Sequence, residues 1–332
     1  MTQLYQGGEV LAEVVRSGFV ESRHHGSVVV LGPDGDVVAS VGDVGSPVFP
    51  RSANKPMQTV GALNCGLDVS DPADLAIGSA SHRGEPFHIA RVSALLEHAE
   101  LTAQHLRCPS AFPTDDEARH AVLAAGGTAT RLQMNCSGKH AAMLSTCVSA
   151  GLPLDSYLDP EHELQQSNRA AVEELTGEKV AAVGVDGCGA PLYAFSLTGL
   201  ARAFSRLVDA PEGSRPRRVA DAMRARPDLV SGTHGFDTKI MEAIPGLLAK
   251  SGAEAVQAVA IPGVGAIAVK VDDGGQRACR PVTLSALRTL PGIDVDGAVL
   301  DGLASSPVKG GNGTGGTKTV GEVRAVWPKG DA

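Results

Sequence analysis

Phe49-Pro50-Arg51-Ser52-Ala53-Asn54-Lys55-Pro56-Met57 marks the point where this chain turns from strand-like to helix-like, and it sets a hydroxyl and an amine three residues apart. Pro50 keeps Phe49 out of the helical region, because the proline ring clashes with a helical residue before it. Pro56 falls early in the next run, where a missing N–H costs little. Met57, Val60, Leu63 and Asn64 then follow at helical spacing, and Gly66 is a natural stop. Residues i and i+3 share a helix face, so Ser52 and Lys55 are expected side by side at a helix N-terminus. A desolvated lysine can take a serine proton and turn the hydroxyl into an acyl-accepting nucleophile. The positive end of the helix favours the oxyanion that forms next.

The S-x-x-K spacing alone decides little, since Ser306-Pro307-Val308-Lys309 repeats it in a Gly/Pro-rich stretch with no apolar helix behind it. Composition narrows the field. The chain has 332 residues and 43% hydrophobic content, enough for one catalytic unit with a sizeable core. Aromatic residues are only 3%, so that core is built from Val, Leu, Ala and Ile. A net charge of −8, with no basic block, argues against nucleic-acid binding. Residues 1–16 lack a basic segment followed by an unbroken apolar run, and no stretch reaches the length of a membrane span. A cytoplasmic protein with no membrane partner is expected. The 6 cysteines are scattered, which suits free thiols or metal ligands better than bridges.

Strand patterns occupy residues 9–16, 27–31 and 37–41, the last two flanking the turn Gly32-Pro33-Asp34-Gly35. Helical stripes follow at 85–99, 114–125, 139–150 and 161–176, and again at 198–208, 216–225, 237–249, 282–290 and 296–304. Strands return at 180–185, 255–261, 266–271 and 320–327. Strands at both ends with helices between predict an α+β fold: an antiparallel sheet from about 1–54 and 180–332, and a helical region from about 55–179. Residues 306–319 read as a glycine-rich loop.

Other segments carry chemistry. Ser81-His82-Arg83-Gly84-Glu85-Pro86 joins a small-residue run to a helix, as a pocket wall or as an ordinary cap. Cys136 and Lys139 lie one turn apart in Asn135-Cys136-Ser137-Gly138-Lys139-His140, and Cys188 follows Asp186-Gly187 at the end of a buried strand. The two thiols either bind Zn²⁺ together or pack as small apolar groups. Lys270, alone in an apolar strand, is either a desolvated base or a sheet-edge lysine.

Taken together, these stretches resemble the bacterial asparaginase II family, the Rhizobium-type L-asparaginases. The matching pieces run from Pro50–Gln58 through Ser81-His82, Asn135–Ala141, Val185–Pro191, Ser231-Gly232-Thr233 with Phe236-Asp237-Thr238, to Val269–Gly274, and they span nearly the whole chain. The resemblance implies a serine β-lactamase and penicillin-binding-protein-like fold, the enzymes in which S-x-x-K is catalytic. It implies hydrolysis of L-asparagine to L-aspartate and ammonia, by a cytoplasmic homodimer. Its Ser–Lys tandems fall on Ser52 with Lys55 and on Ser81 with Lys270. Its zinc ligands fall on Cys136, Lys139 and Cys188, and Arg51, His82, Asp186 and His140 are expected around the substrate. Arg83 departs from the small residue expected in its motif. The rivals are glutaminase, β-lactamase or D-amino peptidase activity, or a non-catalytic amino-acid-binding or metal-sensing role.

Overall fold

Strands from the two ends of the chain share one sheet in the computed structural model, which describes residues 4–293 and 296–327. Along the chain come β1 (Glu9–Arg16), β2 (Phe19–Leu31), β3 (Val37–Val41) and β4 (Pro47–Val48), then a short 3-10 turn at Arg51–Asn54. Helices α1 (Lys55–Asn64), α2 (Pro72–Gly78), α3 (Pro86–His98), α4 (Asp116–Ala124), α5 (Ser137–Ala150) and α6 (Glu163–Thr176) follow. After β5 (Ala182–Val185) and β6 (Pro191–Ser196) come α7 (Leu197–Asp209), α8 (Arg215–Ala225), α9 (Pro227–Ser231) and α10 (Phe236–Ala243). The last part holds β7 (Leu248–Gly252), β8 (Val256–Ile261), β9 (Gly265–Val271), α11 (Gln276–Leu287), α12 (Gly297–Ala304), β10 (Pro307–Gly311) and β11 (Thr317–Ala325).

The antiparallel order is β10-β11-β1-β2-β9-β8-β7, with β3 pairing the far half of β2. The fold is therefore α+β, with N- and C-terminal strands side by side. Helix α7 packs on β2, β8 and β9, and α11 packs on β1, β9 and β11. The other large body surrounds α1, whose residues from Lys55 to Leu63 are all buried. It packs against α5, α6 and α8. Each fully buried Leu or Val there contributes about 1.5–3 kcal/mol of transfer free energy. The two bodies touch where β7 meets the 3-10 turn. A Cβ on Gly252 would stand 2.4 Å from Pro50 O and 3.2 Å from Ala53 N, so only glycine lets the turn that carries Ser52 rest on the strand.

The structure departs from the sequence reading most plainly in two places. The helix expected over 237–249 stops at Ala243, because Pro245 and a left-handed Gly246 (φ 78°) break it, and β7 follows. The loop expected over 306–319 is largely the β10–β11 hairpin, whose glycines hide the alternation of a strand. The ends of the expected sheet region, 1–3 and 328–332, lie outside the described residues. Among the described residues no helix is long and apolar enough to cross a membrane.

Candidate active site

The turn that carries Ser52 is strained at its first residue. Arg51 has φ 51°, a left-handed value that costs a non-glycine residue about 1–3 kcal/mol. The helix then runs straight from Ser52 to Lys55, whose backbone N–H returns to Ser52 O. Lys55 is 1% exposed. Its amine nitrogen bonds Ala80 O, Ser81 Oγ at 3.0 Å and Cys136 Sγ at 3.1 Å. Ser81 sits between α2 and α3, and its backbone N–H is held by Val230 O. Lys55 is thus bonded to Ser81, while Ser52 lies one helical turn before it along the chain.

The lysine expected beside Ser81 was Lys270, and the structure does not bring it there. Lys270 lies on β9, an interior strand, and its amine donates to the carbonyls of Glu254 and Val271. Being interior, it is not a sheet-edge guard either. The lysine beside Lys55 is Lys250, on the edge strand β7 and completely buried. Burial drops its pKa to about 8, with the Lys55 charge adding to the shift and Asp237, 3.8 Å away, opposing it. Asp237 is buried too, and it accepts from Ser251 N, Ser251 Oγ and Gln257 Nε2. Lys250, Ser251, Gly252 and Asp237 in this role were missed by the sequence reading. A signal existed: Lys250-Ser251-Gly252 has the K-T-G form, with serine for threonine, that accompanies S-x-x-K. A helix drawn over 237–249 hides it.

On the opposite side, Arg51 Nε donates to Asp186 Oδ1 at 2.8 Å, and Gly187 N shares that oxygen at 2.9 Å. Asp186 and Cys188 occupy the tight turn between β5 and β6, closed by Gly189 N to Asp186 O at 2.8 Å. Cys188 meets Cys136 and Lys139 from the head of α5. The Cys136 thiol donates to Asn135 Oδ1 at 3.3 Å, and the closeness of the two sulfurs holds Cys188 far below a normal thiol and pushes Cys136 up. Burial opposes a charge on Lys139, yet the two sulfurs and Asp186 hold its pKa above the ordinary lysine value. Gly138 lets the head of α5 rest on α2, since a Cβ there would stand 2.3 Å from Ile77 O.

The two histidines are placed differently from expectation. His82 is 0% exposed and braces the Ser81 loop to α5, with Gly84 N donating to Nδ1 and Nε2 donating to Ser137 Oγ. Burial drives its pKa well below 6.5, so it is a neutral strut rather than a substrate contact. His140 is also fully buried. Its Nδ1 bonds Tyr157 Oη at 2.7 Å, while Nε2 has no hydrogen-bond partner and lies beside Cys188.

Two thiols, a lysine amine and an orphaned imidazole nitrogen make a donor set of the soft S and N type that zinc prefers. Among the described residues no three His, Cys, Asp or Glu side chains gather as a metal site, so a zinc ion here would need the Lys139 amine as a donor beside the two thiols. The residues fit the group. Metal binding here would displace the protons that the cluster now shares.

A family model described as L-asparaginase II matches residues 12–325. The chain belongs to the L-asparaginase II family. The likeness to solved structures is more distant. An Mglu structure in its native form is 16% identical, with a TM-score of 0.41, covering 79% of this chain. This L-asparaginase II family chain spans 62% of that Mglu chain's length. A putative beta-lactamase from Bacteroides dorei is 16% identical over 75% of this chain and 85% of its own, with a TM-score of 0.42. Simvastatin synthase from Aspergillus terreus is 14% identical over 78% of this chain and 88% of its own, with a TM-score of 0.38. No curated protein matches the chain.

Proposed function

We propose that the protein is an L-asparaginase that hydrolyses the side-chain amide of L-asparagine by Ser–Lys acyl transfer. The observation that carries this is the buried Lys55, one helical turn from Ser52 and 3.0 Å from Ser81 Oγ. Ser52 attacks the amide carbon. Lys55, as the neutral amine, takes its proton and passes one through Ser81 to the departing ammonia. Water then attacks the acyl-enzyme by the same path in reverse. Lys250, with a pKa of about 8, takes the proton-relay part that the family resemblance suggested for Lys270, its amine gaining the neutral form as pH rises through that value. Backbone N–H groups of the Ser52 turn hold the developing oxyanion. Arg51 and Asp186 suit the α-carboxylate and α-ammonium of an amino acid. Zinc held by Cys136, Lys139 and Cys188 would supply a fixed positive charge and tie α5 to the Asp186 turn.

Family membership supports the reaction class, and the Ser–Lys geometry supports the route. The test is ammonia release from asparagine, glutamine and a β-lactam chromogen, with mass spectrometry of the quenched enzyme. Asparagine should be turned over best. Ser52→Ala should lose at least about 10³-fold in kcat and give no acyl adduct, a loss typical of removing a covalent nucleophile. Ser81→Ala should be slow yet accumulate an adduct on Ser52. An adduct on Ser81 in the Ser52→Ala protein would reverse the assignment.

A further inference from the structure

A cavity of about 450 Å³ opens next to β7, on the side away from the thiol cluster, and its charges have no use in the reaction above. Its lining includes Arg83, Arg277, Arg280, Gln276, Ser231 and Ser306, and no carboxylate. Among the described residues none of the three arginines is in an ion pair. The carboxylates close by are already engaged. Glu85 accepts from Thr233 N at 2.9 Å and Thr233 Oγ1 at 2.6 Å, and Asp237 accepts from Ser251 and Gln257.

Each arginine is held in place rather than left free. Arg83 donates to Thr114 O at 3.2 Å, and its Nε is buried without a hydrogen-bond partner. A buried, unsatisfied guanidinium N–H carries a desolvation cost that an anionic ligand would relieve. Arg277 donates to the ring of His24 at 3.0 Å. Arg280 stacks on Phe236, 5.3 Å from the ring centroid. The first turn of α11 adds to this field. It supplies Gln276 and Arg277, with Arg280 in the next turn; no side chain caps the helix and no acid lies within its first turn, while Asp273 just before it is taken up by Gly275 N at 2.8 Å and by His24. Uncapped N–H groups and the positive helix end favour an anion.

From this arrangement we infer that the cavity is a binding site for a small oxyanion carrying two negative charges, such as phosphate or a short dicarboxylate. Three guanidinium groups and a helix N-terminus exceed what one monoanion can neutralise, and planar guanidinium forks match the paired oxygens of phosphate and carboxylate alike. Asparagine itself offers one carboxylate, so the site is not a second copy of the substrate contact at Arg51. The inference stands on this cavity alone and does not depend on the acyl-transfer reading.

Isothermal titration of the full chain with inorganic phosphate, malonate and acetate in a zwitterionic buffer tests it, with turnover left out of the readout. Phosphate, malonate or both should bind at one site per chain, acetate at least about 10-fold more weakly. Phosphate without malonate names a phosphate group as the ligand chemistry, and malonate without phosphate names a dicarboxylate. Arg280→Ala should weaken binding at least about 10-fold, and Arg280→Lys should restore part of it. Arg83→Ala is read in parallel, with thermal melting of each variant in plain buffer to confirm that it folds. The inference fails if neither dianion binds, if acetate binds as tightly as they do, or if folded Arg280→Ala and Arg83→Ala proteins bind like the wild type.

Discussion

Lys250 shows how burial turns a common residue into a base. Removing its ammonium from water lowers its pKa, so the amine gains its reactive form as pH rises through about 8. The rate constant kcat/KM is therefore expected to rise with pH across that value and then level off. Lys250→Met should remove this limb and depress kcat by at least about 10²-fold, the scale of a lost general base. A wild-type profile that keeps climbing past pH 10 would contradict a depressed lysine. The Ser52–Lys55 pair was legible in the sequence because its geometry is local, fixed by one turn of helix. Lys250 left only the K-T-G-like trace of residues 250–252, because its burial beside Lys55 and Asp237 is made by the fold and not by local spacing. Lys270 looked more unusual by pattern, sitting alone in an otherwise apolar strand. Pattern could not tell an interior strand from the edge strand that touches the Ser52 turn.

Between elements, the site depends on two close approaches. Gly252→Ala would set a Cβ 2.4 Å from Pro50 O and push the Ser52 turn off β7. Such overpacking typically costs about 1–3 kcal/mol. A lowered melting temperature is expected together with a kcat loss of at least about 10-fold, and an unchanged kcat would show that the turn does not need its seat on the strand. The second approach joins α5 to the turn between β5 and β6 through Cys136, Lys139 and Cys188. Elemental analysis should find about one zinc per chain, falling sharply in either Cys136→Ser or Cys188→Ser, because two ligands hold zinc far more weakly than three. Wild-type protein that is free of zinc yet keeps its KM would return both thiols to simple packing. The long periodic helices and apolar strands were readable from spacing alone. The short strands β4, β6, β7 and β10 were not, since they owe their conformation to the neighbours they pair with.

At the scale of the molecule, β1 is the seam. Its inner edge pairs with β2, and its outer edge pairs with β11, Val14 opposite Val323. A chain ended after Ser305 would lose β10 and β11, and β1 would be left as an open edge. Its expected fate is insolubility or loss of cooperative melting, read by expression yield and circular dichroism. A soluble truncation with wild-type melting would show that the seam is dispensable. The same seam has a consequence for how the protein is made. The β1 strand is synthesised first, yet its second partner follows roughly 300 residues later, a wait of about 15–60 s at ~5–20 residues per second. During that interval a nascent chain exposes one bare strand edge to every other nascent chain nearby. Glu13, which in the finished fold pairs with both Arg23 and Arg324, meanwhile places a charge on that edge, where charge discourages the wrong strand from docking.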